Sequence, residues 1–323
     1  MALREEPRQE LRQAPIVLIG SSREAKRIRE FAERAAAVDH TVLLTGETGA
    51  GKDHLAELIH AKGRPGKPFV PVDCGALTES LSETELFGHI QGAFTDARET
   101  KQGLVQVARE GTLFFNEVAN MSLGLQVKFL RILEKRSFRP VGGTREVEVD
   151  TRIIAATNAN LELAVRRGAL RSDLYHRLNG ISFVIKPLRE RVEDISELSE
   201  YFLYQESPSR KFAPEAMAVM MGYHWPGNVR ELKNAVVRAA FLSNGRKDIQ
   251  VDHLHPYLTG IGGRELPTLR ELQRNYLCEV LKKCKGSVAQ AAVIAGIPVS
   301  AMRRKIEKFQ LQDFVDSLGD EAA

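Results

Sequence analysis

A glycine-rich segment constrains this chain more than any other feature. Residues 46–53 (GETGAGKD) follow an apolar run, residues 41–45, and precede a helical pattern over residues 54–62. The spacing of the glycines and the lysine matches the loop that surrounds phosphate groups between a strand and a helix. Small glycines let backbone N–H groups approach phosphate oxygens, and the helix N-terminus adds partial positive charge. The predicted phosphate-binding residues are Gly46, Glu47, Thr48, Gly49, Ala50, Gly51, Lys52 and Asp53. A strand–helix turn with an incidental lysine is the alternative.

Short apolar runs alternate with helical patterns over the first 187 residues. The predicted strands are residues 41–45, 69–72, 112–115, 152–156 and 181–185, and the predicted helices are residues 23–38, 54–62, 123–135 and 161–167. This alternation predicts an α/β fold with a mostly parallel sheet. From about Leu188 the strands are expected to stop, and the helical patterns continue over residues 192–205, 214–221 and 229–243.

The strand at residues 112–115 ends in Asn116 and Glu117. In enzymes that hydrolyse nucleoside triphosphates, a carboxylate at the first such position holds magnesium, and the second polarises the attacking water. Asn116 offers only a neutral oxygen, and Asp53 stands where a hydroxyl group usually faces the metal. We therefore predict a weak Mg²⁺ site at Asn116 and Asp53, with Glu117 available to activate water. A solvated turn is the alternative for the Asn-Glu pair.

Composition excludes several other classes of protein. The chain has 323 residues, with 43% hydrophobic and 27% charged residues, which are ordinary values for a globular protein. Its three cysteines have no metal or redox spacing, and this usage fits a reducing compartment. No apolar run is long enough to cross a bilayer, and no secretory signal begins the chain. We expect a cytoplasmic protein without a membrane partner.

The positive charge is concentrated near the C-terminus. Residues 264–308 contain ten Lys or Arg and four Glu, whereas the whole chain has a net charge of only +4. Within this basic segment, residues 287–295 and 299–308 flank a turn with glycine, a pattern typical of a helix-turn-helix. The residues expected to face DNA are Val299, Ser300, Arg303, Arg304, Lys305 and Lys308. A helical hairpin that mediates oligomerisation is the alternative.

Seven motifs in order give the chain a family resemblance that runs from about residue 16 to residue 311. They are GETGAGKD, ELFGHIQGAFTDA, GTLFFNEV, RIIAATNANL, LRSDLYHRLN, PLRER and WPGNVREL. Together they resemble the AAA+ activators of sigma-54 RNA polymerase, also called bacterial enhancer-binding proteins. The resemblance implies an AAA+ P-loop NTPase core, a helical lid subdomain and a C-terminal Fis-like helix-turn-helix. ATP and Mg²⁺ are the implied cofactors.

The resemblance also implies roles for four residues around the nucleotide. Asn158 is similar to the residue that senses the γ-phosphate, and Arg230 to an arginine that the lid contributes. Arg171 and Arg177 look like arginines that reach the nucleotide of a neighbouring subunit, where they stabilise charge on the transferred phosphoryl group. A self-associated hexameric ring is therefore implied.

A surface loop is implied to contact sigma-54. Its residues are Gly92, Ala93, Phe94, Thr95, Asp96 and Ala97. An exposed Phe94 at a loop tip is typical of an interface. The chain departs from the family at Asp96, where glycine is most common, and at Asp73, where many relatives place an asparagine coupled to the catalytic glutamate. Asp73 close to Glu117 would raise the pKa of one of the two carboxyl groups.

The resemblance divides the chain into six parts. They are a polar tail (1–15), the AAA+ core (16–187), the lid (188–258), a linker (259–267), the helix-turn-helix (268–311) and an acidic tail (312–323). Since so few residues precede the core, we expect control by a separate regulatory protein, by the expression level, or by a signal that acts on the ATPase itself.

The predicted function is ATP-dependent activation of transcription, by binding upstream DNA and remodelling the sigma-54 RNA polymerase holoenzyme. One alternative is a nucleotide-binding DNA regulator or repressor with weak or lost ATPase activity. Another is a general AAA+ remodeller whose basic end serves as an adaptor.

Overall fold

The computed structural model describes most of the chain in two compact units, divided between His255 and Pro256. The described residues are 16–75, 79–95, 97–243, 246–258, 277–278, 280–284, 286–295, 297–309, 311–312 and 314–315. The predicted N-terminal tail, the linker, Asp96 and most of the acidic tail lie outside these residues.

The first unit is built on a five-stranded parallel sheet with the strand order β2-β5-β8-β1-β9. These strands are β1 (Val42–Thr45), β2 (Phe69–Asp73), β5 (Thr112–Asn116), β8 (Arg152–Thr157) and β9 (Ile181–Val184). Three pairs of two-residue strands lie outside it: β3 (Gly88–His89) with β4 (Lys101–Gln102), β6 (Ser137–Phe138) with β7 (Val147–Glu148), and β10 (Lys211–Phe212) with β11 (Asp248–Ile249).

Helices follow most strands of the sheet and cover its two faces. They are α1 (Arg23–Ala36), α2 (Lys52–Gly63), α3 (Glu79–Phe87), α4 (Leu104–Val107), α5 (Leu123–Lys135), α6 (Leu161–Arg166) and α7 (Ser172–Leu178). Successive residues of a sheet strand pack in two different hydrophobic clusters, one on each face of the sheet. Leu43 packs in a cluster with residues of α5 and α7, whereas Val42 and Leu44 pack in another with residues of α1 and α2. This alternation is the two-residue period of a strand whose faces are both covered.

The lid completes the first unit. Its helices are α8 (Glu193–Glu206), α9 (Pro214–Gly222) and α10 (Asn228–Leu242). Trp225, between α9 and α10, is fully buried, and its indole N–H donates to the Met220 carbonyl at 2.8 Å. This buried indole holds the turn that leads into α10.

The second unit contains α11 (Val288–Ile294) and α12 (Val299–Lys308). The small side chains of Ala291 and Ala292 are buried in the same cluster as Met302 and Ile306. Small residues let two helices pack closely, so this arrangement accounts for the short apolar pattern of a helix-turn-helix.

The five predicted sheet strands and the long predicted helices of the first unit are confirmed. The expectation that strands stop at Leu188 is wrong, because β10 and β11 pair within the lid. A strand of two residues is too short to show a hydrophobic pattern in the sequence. Its partner strand lies across 36 residues of chain, so the pairing depends on how the lid packs. Helices α3, α4 and α7 also lacked a sequence prediction.

Candidate functional site

The candidate site lies where four parallel strands end. Because the strands are parallel, their carboxyl ends share one edge of the sheet, the edge at which open α/β sheets bind ligands. Residues 46–53, here called the phosphate loop, follow β1 at this edge. Asp73 is the last residue of β2, and Asn116 is the last residue of β5. Glu117 comes directly after β5, and Asn158 comes directly after β8. The fold thus brings together residues that are more than 80 positions apart.

Lys52 begins α2 and is buried at the base of the site. Its Nζ donates to the carbonyl oxygens of Gly46 at 2.9 Å and Glu47 at 3.2 Å, and lies 3.7 Å from Oε1 of Glu117. Burial lowers the pKa of Lys52, while the negative charges of Glu117 and Asp53 oppose this shift. The ammonium group therefore lies between the phosphate loop and the carboxylate predicted to activate water.

Glu117 is held by the neighbouring strand end. The backbone N–H of Asn158 donates to Oε2 of Glu117 at 2.9 Å, and the Thr157 hydroxyl donates to the same oxygen at 3.4 Å. Glu117 also has a left-handed backbone, with φ of 54°. Such strained positions in non-glycine residues concentrate at functional sites. The carboxylate is thereby oriented by β8 as well as by its own strand.

Asn158 links the strand ends to the phosphate loop. Its side-chain Nδ2 donates to the Thr48 hydroxyl at 2.8 Å, while its backbone N–H binds Glu117. One residue therefore contacts both the loop that would surround phosphate and the carboxylate that would act on water. This position fits the sensor role that the family resemblance implied.

A cavity of about 730 Å³ opens between the sheet edge and the lid. From the predicted set it is lined by Thr48, Gly49, Gly51, Lys52, Asp53, Asn116, Glu117, Asn158 and Arg230, and Asp73 also lines it. Gly46, Glu47 and Ala50 are not among its lining residues. Arg230 lies on α10 of the lid, with its Nη2 atom 3.9 Å from Oδ2 of Asp53. The lid thus contributes an exposed cation to the mouth of the cavity.

The lid also binds the outer side of the phosphate loop. Arg189 donates two hydrogen bonds to Glu47, at 2.8 Å and 2.6 Å, and Nδ2 of Asn228 donates to the same carboxylate at 3.2 Å. The hydrogen bond from Arg189, followed by that from Asn228, lowers the pKa of Glu47 to about 2. Glu47 therefore anchors the lid, which explains why its side chain does not face the cavity.

Three further contacts join the lid to the phosphate loop. The contacts of Arg189, Arg191, Gly227 and Asn228 with the phosphate loop are together called the seam. Nη2 of the buried Arg191 donates to the Ala50 carbonyl at 2.7 Å, and Nδ2 of Asn228 donates to the Thr48 carbonyl at 3.1 Å. Gly49 lies so close to the lid that a Cβ there would be 2.3 Å from the Gly227 carbonyl oxygen. Only glycine fits this approach, at a φ of 74°.

Sequence reasoning assigned no role to Arg189, Arg191 or Asn228. All three lie in the quoted motifs PLRER and WPGNVREL, which were the available signal. Their role depends on which loop they contact, and the chain separation from Glu47 to Asn228 is 181 residues. Only the folded lid brings these residues to the phosphate loop.

Two observations bear on a metal ion at the site. Among the described residues, no group of three His, Cys, Asp or Glu side chains is placed to hold a metal by itself. Magnesium bound with a nucleotide needs only one or two protein carboxylates, because phosphates and water supply the other ligands. Oδ1 of Asn116 is buried and has no hydrogen-bond partner within the described ranges of the chain. An oxygen in this state fits a cation or a metal-bound water.

The structure leaves the predicted effect of Asp73 on Glu117 as a prediction. Oδ1 of Asp73 accepts the backbone N–H of Gly75 at 2.9 Å. Burial raises the pKa of the neighbouring Cys74 thiol to about 12, and the charges of Asp73 and Glu117 add to this shift. Cys74 is therefore an inert thiol beside the site.

Arg171 and Arg177 do not line the cavity of their own chain. Arg171 donates to both carboxylate oxygens of Asp173, at 3.1 Å and 2.7 Å, and this hydrogen bonding raises the pKa of Arg171. Arg177 donates to the Leu133 carbonyl at 3.3 Å. The structure thus keeps both arginines apart from the nearest phosphate loop, as an arginine that acts on a neighbouring subunit must be.

The predicted sigma-54 loop projects from the hairpin of β3 and β4. Phe94 is 44% exposed, and its ring contacts only one aromatic ring among the described residues, that of His89 at 5.0 Å. Gly92, Ala93 and Thr95 are exposed or half-buried, whereas Ala97 is buried. Asp96 lies outside the described residues. The alternative, a loop tip folded against the domain, does not account for the exposure of Phe94.

Most of the predicted DNA-facing residues are exposed on α12. Val299, Ser300, Arg303, Arg304 and Lys308 are exposed and Lys305 is half-buried, while Met302 and Ile306 are buried. This division produces a basic face opposite an apolar one. It is the arrangement that a recognition helix requires.

The parallel sheet, the phosphate loop after β1, the acidic end of β5 and the helical lid together define the class of AAA+ P-loop proteins. Comparisons with known proteins agree. Residues 18–184 match the sigma-54 interaction domain, residues 189–267 the AAA+ ATPase lid domain, and residues 268–309 the Fis family of bacterial regulatory proteins. The chain therefore belongs to the family of sigma-54-dependent transcriptional activators, with a Fis-type DNA-binding domain.

Individual relatives are similar over most of the chain. The regulatory protein AtoC of Escherichia coli is 39% identical over 83% of this chain and 62% of its own length. The response regulator PilR of Pseudomonas aeruginosa is 38% identical over 93% of this chain and 71% of its own. The chain thus spans about three fifths of AtoC.

Solved structures support the same fold. The crystal structure of NtrX from Brucella abortus in complex with ATP has a TM-score of 0.69 and 34% identity, over 90% of this chain and 69% of that chain. Hsp104, at 16% identity and a TM-score of 0.55, shares the fold alone. In the described part of the chain, no helix is long and apolar enough to cross a membrane.

Proposed function

We propose that this chain activates transcription by using ATP hydrolysis to remodel the sigma-54 RNA polymerase holoenzyme while bound to upstream DNA. One observation carries the proposal. Glu117, Lys52, Asn158 and Arg230 meet at a single cavity, which lies on the same unit as the exposed Phe94 loop. Because the nucleotide site and the protein-contact loop belong to one compact unit, nucleotide binding could change how the loop is presented to a partner.

The residues of the cavity suit hydrolysis of a terminal phosphate. Backbone N–H groups of the phosphate loop and the Lys52 ammonium group would bind the β- and γ-phosphates. Glu117, oriented by the Asn158 N–H, would accept a proton from the attacking water. Asn158 also contacts Thr48 through its side chain, so a change at the γ-phosphate would reach Glu117 through one residue.

Magnesium would be held in the same cavity. Its chemistry there is to neutralise charge on the phosphate oxygens. Asn116, with its unpartnered Oδ1, and Asp53, at the start of α2, are the protein groups first predicted to hold it. Asp53 also faces Arg230 of the lid, so lid position and metal binding would influence each other.

Completion of the active site would require a ring of subunits. Arg171 and Arg177 lie outside their own cavity, and an arginine supplied from a neighbouring subunit would stabilise charge on the transferred phosphoryl group. We propose a hexamer, as the family resemblance implies. Asp173 would hold Arg171 until a neighbour's nucleotide competes for its guanidinium group.

The partners follow from two surfaces. Phe94 and Thr95 would contact sigma-54, and Arg303 and Arg304 would read bases in the major groove. Lys305 and Lys308 would lie nearer the phosphates. Both partners work in the cytoplasm, and control by a separate regulatory protein stays a prediction.

A second candidate function is favoured by Asn116. Without a carboxylate at that position, nucleotide binding can persist while hydrolysis becomes slow, and the chain would act as a nucleotide-gated DNA regulator or repressor. The two functions differ in whether ATP turnover opens the promoter.

Open-complex formation with sigma-54 polymerase separates them. We expect opening with ATP and none with ADP, and loss of opening in Glu117→Gln with retained nucleotide binding. Opening with ADP alone, or none with ATP in the presence of bound DNA, contradicts the proposal. If the oligomer has no turnover and Asn116→Asp restores it, the second candidate is correct.

The DNA assignment has its own test. The double variant Arg303→Ala, Arg304→Ala should lose the DNase footprint at an upstream site while the first unit still binds nucleotide. An unchanged footprint would favour the adaptor or oligomerisation alternatives for the second unit.

A further inference from the structure

Two residues at neighbouring strand ends combine one carboxylate with one amide. Asp73 ends β2 and Asn116 ends β5, and the two are direct Cα partners in the parallel pairing of these strands. Partners in a parallel pair lie on the same face, with their strands about 5 Å apart. Both residues line the cavity that Lys52 and Glu117 also line. They therefore form one pair of oxygen-bearing groups rather than two separate positions.

Asn116 has an oxygen that lacks a partner among the described residues. Its Oδ1 atom is buried, and no donor in that part of the chain reaches it. An unpaired buried carbonyl oxygen costs free energy unless a cation, a water or a donor arrives. Because it is neutral, this oxygen alone is a poor ligand for a divalent cation, and a nearby carboxylate has to supply the charge.

The other carboxylates at the cavity are already engaged. Glu117 accepts from the Asn158 N–H and faces Lys52, and Asp53 lies 3.9 Å from the Arg230 guanidinium group. Asp73 uses Oδ1 for the Gly75 N–H. Among the described residues, no hydrogen bond or ion pair engages its Oδ2. Asp73 thus has a carboxylate oxygen to offer, in the same cavity and at the strand position that pairs with Asn116.

We propose that Asp73 supplies the negative charge for Mg²⁺ at this site, and that Asn116 contributes its neutral oxygen, directly or through water. This carboxylate lies at the end of β2, the strand next to β5. The sequence pattern predicted the magnesium ligand at the end of β5 instead. A hard cation takes carboxylate and amide oxygens together, so the pair retains one negative charge for the metal. The inference rests on the proposed nucleotide binding and not on remodelling.

The test measures how nucleotide binding depends on magnesium. A fluorescent, non-hydrolysable ATP analogue is titrated with Mg²⁺ on the full chain. Asp73→Asn should raise the Mg²⁺ concentration for half-maximal binding about 10- to 100-fold, because a charged oxygen near the metal is lost. The variant side chain keeps an acceptor for the Gly75 N–H, so the fold is preserved, and a thermal denaturation midpoint checks this.

A reciprocal variant isolates the pair. Asp73→Asn/Asn116→Asp restores one carboxylate and one amide, and should return the Mg²⁺ dependence towards that of the wild-type chain. Asp39→Asn is the matched control, because it removes an equal charge at a residue paired with Arg64 that does not line the cavity. Mn²⁺ bound with the same analogue gives an electron paramagnetic resonance signal. Of the two single variants, only Asp73→Asn should change this signal.

Several outcomes would overturn the inference. They are an unchanged Mg²⁺ dependence in Asp73→Asn, no recovery in the reciprocal variant, or wild-type binding that needs no magnesium. The assay contains no sigma-54 and no DNA. A failure of promoter opening therefore leaves this result standing, and a failure here leaves promoter opening to its own test.

Discussion

The phosphate loop and the Phe94 loop, residues 90–97, are both glycine-containing loops on one unit, yet they are held in different ways. Side chains from the lid and from β8 bind the phosphate loop: Arg189, Arg191, Asn228 and Asn158. The described part of the Phe94 loop is held mainly by its own backbone. Gly92 N–H donates to the Ala97 carbonyl at 2.9 Å, and Ala97 N–H to the Phe94 carbonyl at 3.0 Å.

This difference follows from what each loop must do. A loop that binds phosphate must keep several N–H groups at set positions, and long-range side-chain bonds prevent their drift. A loop that presents an aromatic residue to a partner needs only a local frame, and its tip stays exposed. Mutations in the two loops should therefore have opposite effects on stability and on partner binding.

The largest effect on stability should come from Asn228→Ala. The buried Asn228 side chain accepts from the Leu188 N–H at 2.7 Å and donates to the Thr48 carbonyl and to Glu47. Its loss leaves buried polar groups unpaired and should lower the free energy of unfolding by about 3 kcal/mol. Chemical denaturation measures the loss, and weaker nucleotide binding should accompany it.

Asn228→Gly is the matched control for this variant. Asn228 has a φ of 52°, a backbone conformation that asparagine and glycine adopt more easily than alanine. The glycine variant should therefore be more stable than the alanine variant by about 1 kcal/mol. A loss below about 1 kcal/mol in both variants would show that the seam does not hold the phosphate loop.

Phe94→Ala should produce the opposite pattern. The ring is 44% exposed, so the free energy of unfolding should change by less than about 0.5 kcal/mol. Binding to sigma-54, measured with a non-hydrolysable ATP analogue present, should weaken at least about tenfold, since aromatic anchors dominate interfaces. Phe241→Ala, on an 82% exposed lid residue, is the control and should leave sigma-54 binding unchanged.

Gly142→Ala should disturb the base of the Phe94 loop. Gly142 has a φ of 76°, and a Cβ there would lie 2.6 Å from the Cβ of Ala93. We expect a loss of about 1–2 kcal/mol in unfolding free energy, weaker sigma-54 binding and unchanged nucleotide binding. Gly168→Ala has a similar φ of 70° but open space around it. Equal sigma-54 binding in the two variants would refute the steric argument.

Among the variants expected to be destabilised, the smallest loss of unfolding free energy should come from Glu47→Gln. The folded-state pKa of Glu47 is lowered to about 2 from 4.5, so its contribution to stability is present above pH 4.5 and is lost as the pH falls towards 2. Because the pair with Arg189 is largely exposed, we expect only about 1 kcal/mol at neutral pH. Denaturation between pH 5 and pH 2 checks this, and Glu47→Gln should flatten that part of the profile.

The sequence predicted the site best where a motif coincides with the end of a strand. Lys52, Glu117 and Asn158 follow β1, β5 and β8, and parallel strands place such residues at one edge. The exposed face of α12 was also predictable, because the helical period places Met302 and Ile306, four residues apart, on one apolar face. Local spacing is sufficient in both cases.

The seam between the lid and the phosphate loop could not be predicted from the sequence, and the reason is physical. Arg189 and Glu47 are 142 residues apart, and no pattern in either segment indicates its partner. The same holds for Asp73 beside Asn116, which are paired by the register of β2 with β5. A motif identifies a residue's chemistry, but only packing sets which other group it meets.

The amino-acid sequence was therefore enough to establish the α/β class, the phosphate loop, the basic recognition helix and the family resemblance, because each is encoded within a few neighbouring residues. The folded chain was needed to show that Glu47 faces the lid, that Arg171 and Arg177 lie away from their own cavity, and that Oδ1 of Asn116 has no partner among the residues that the structure describes. These facts depend on contacts between segments far apart in the chain, and such contacts form only when the sheet, the lid and their hydrogen bonds assemble together.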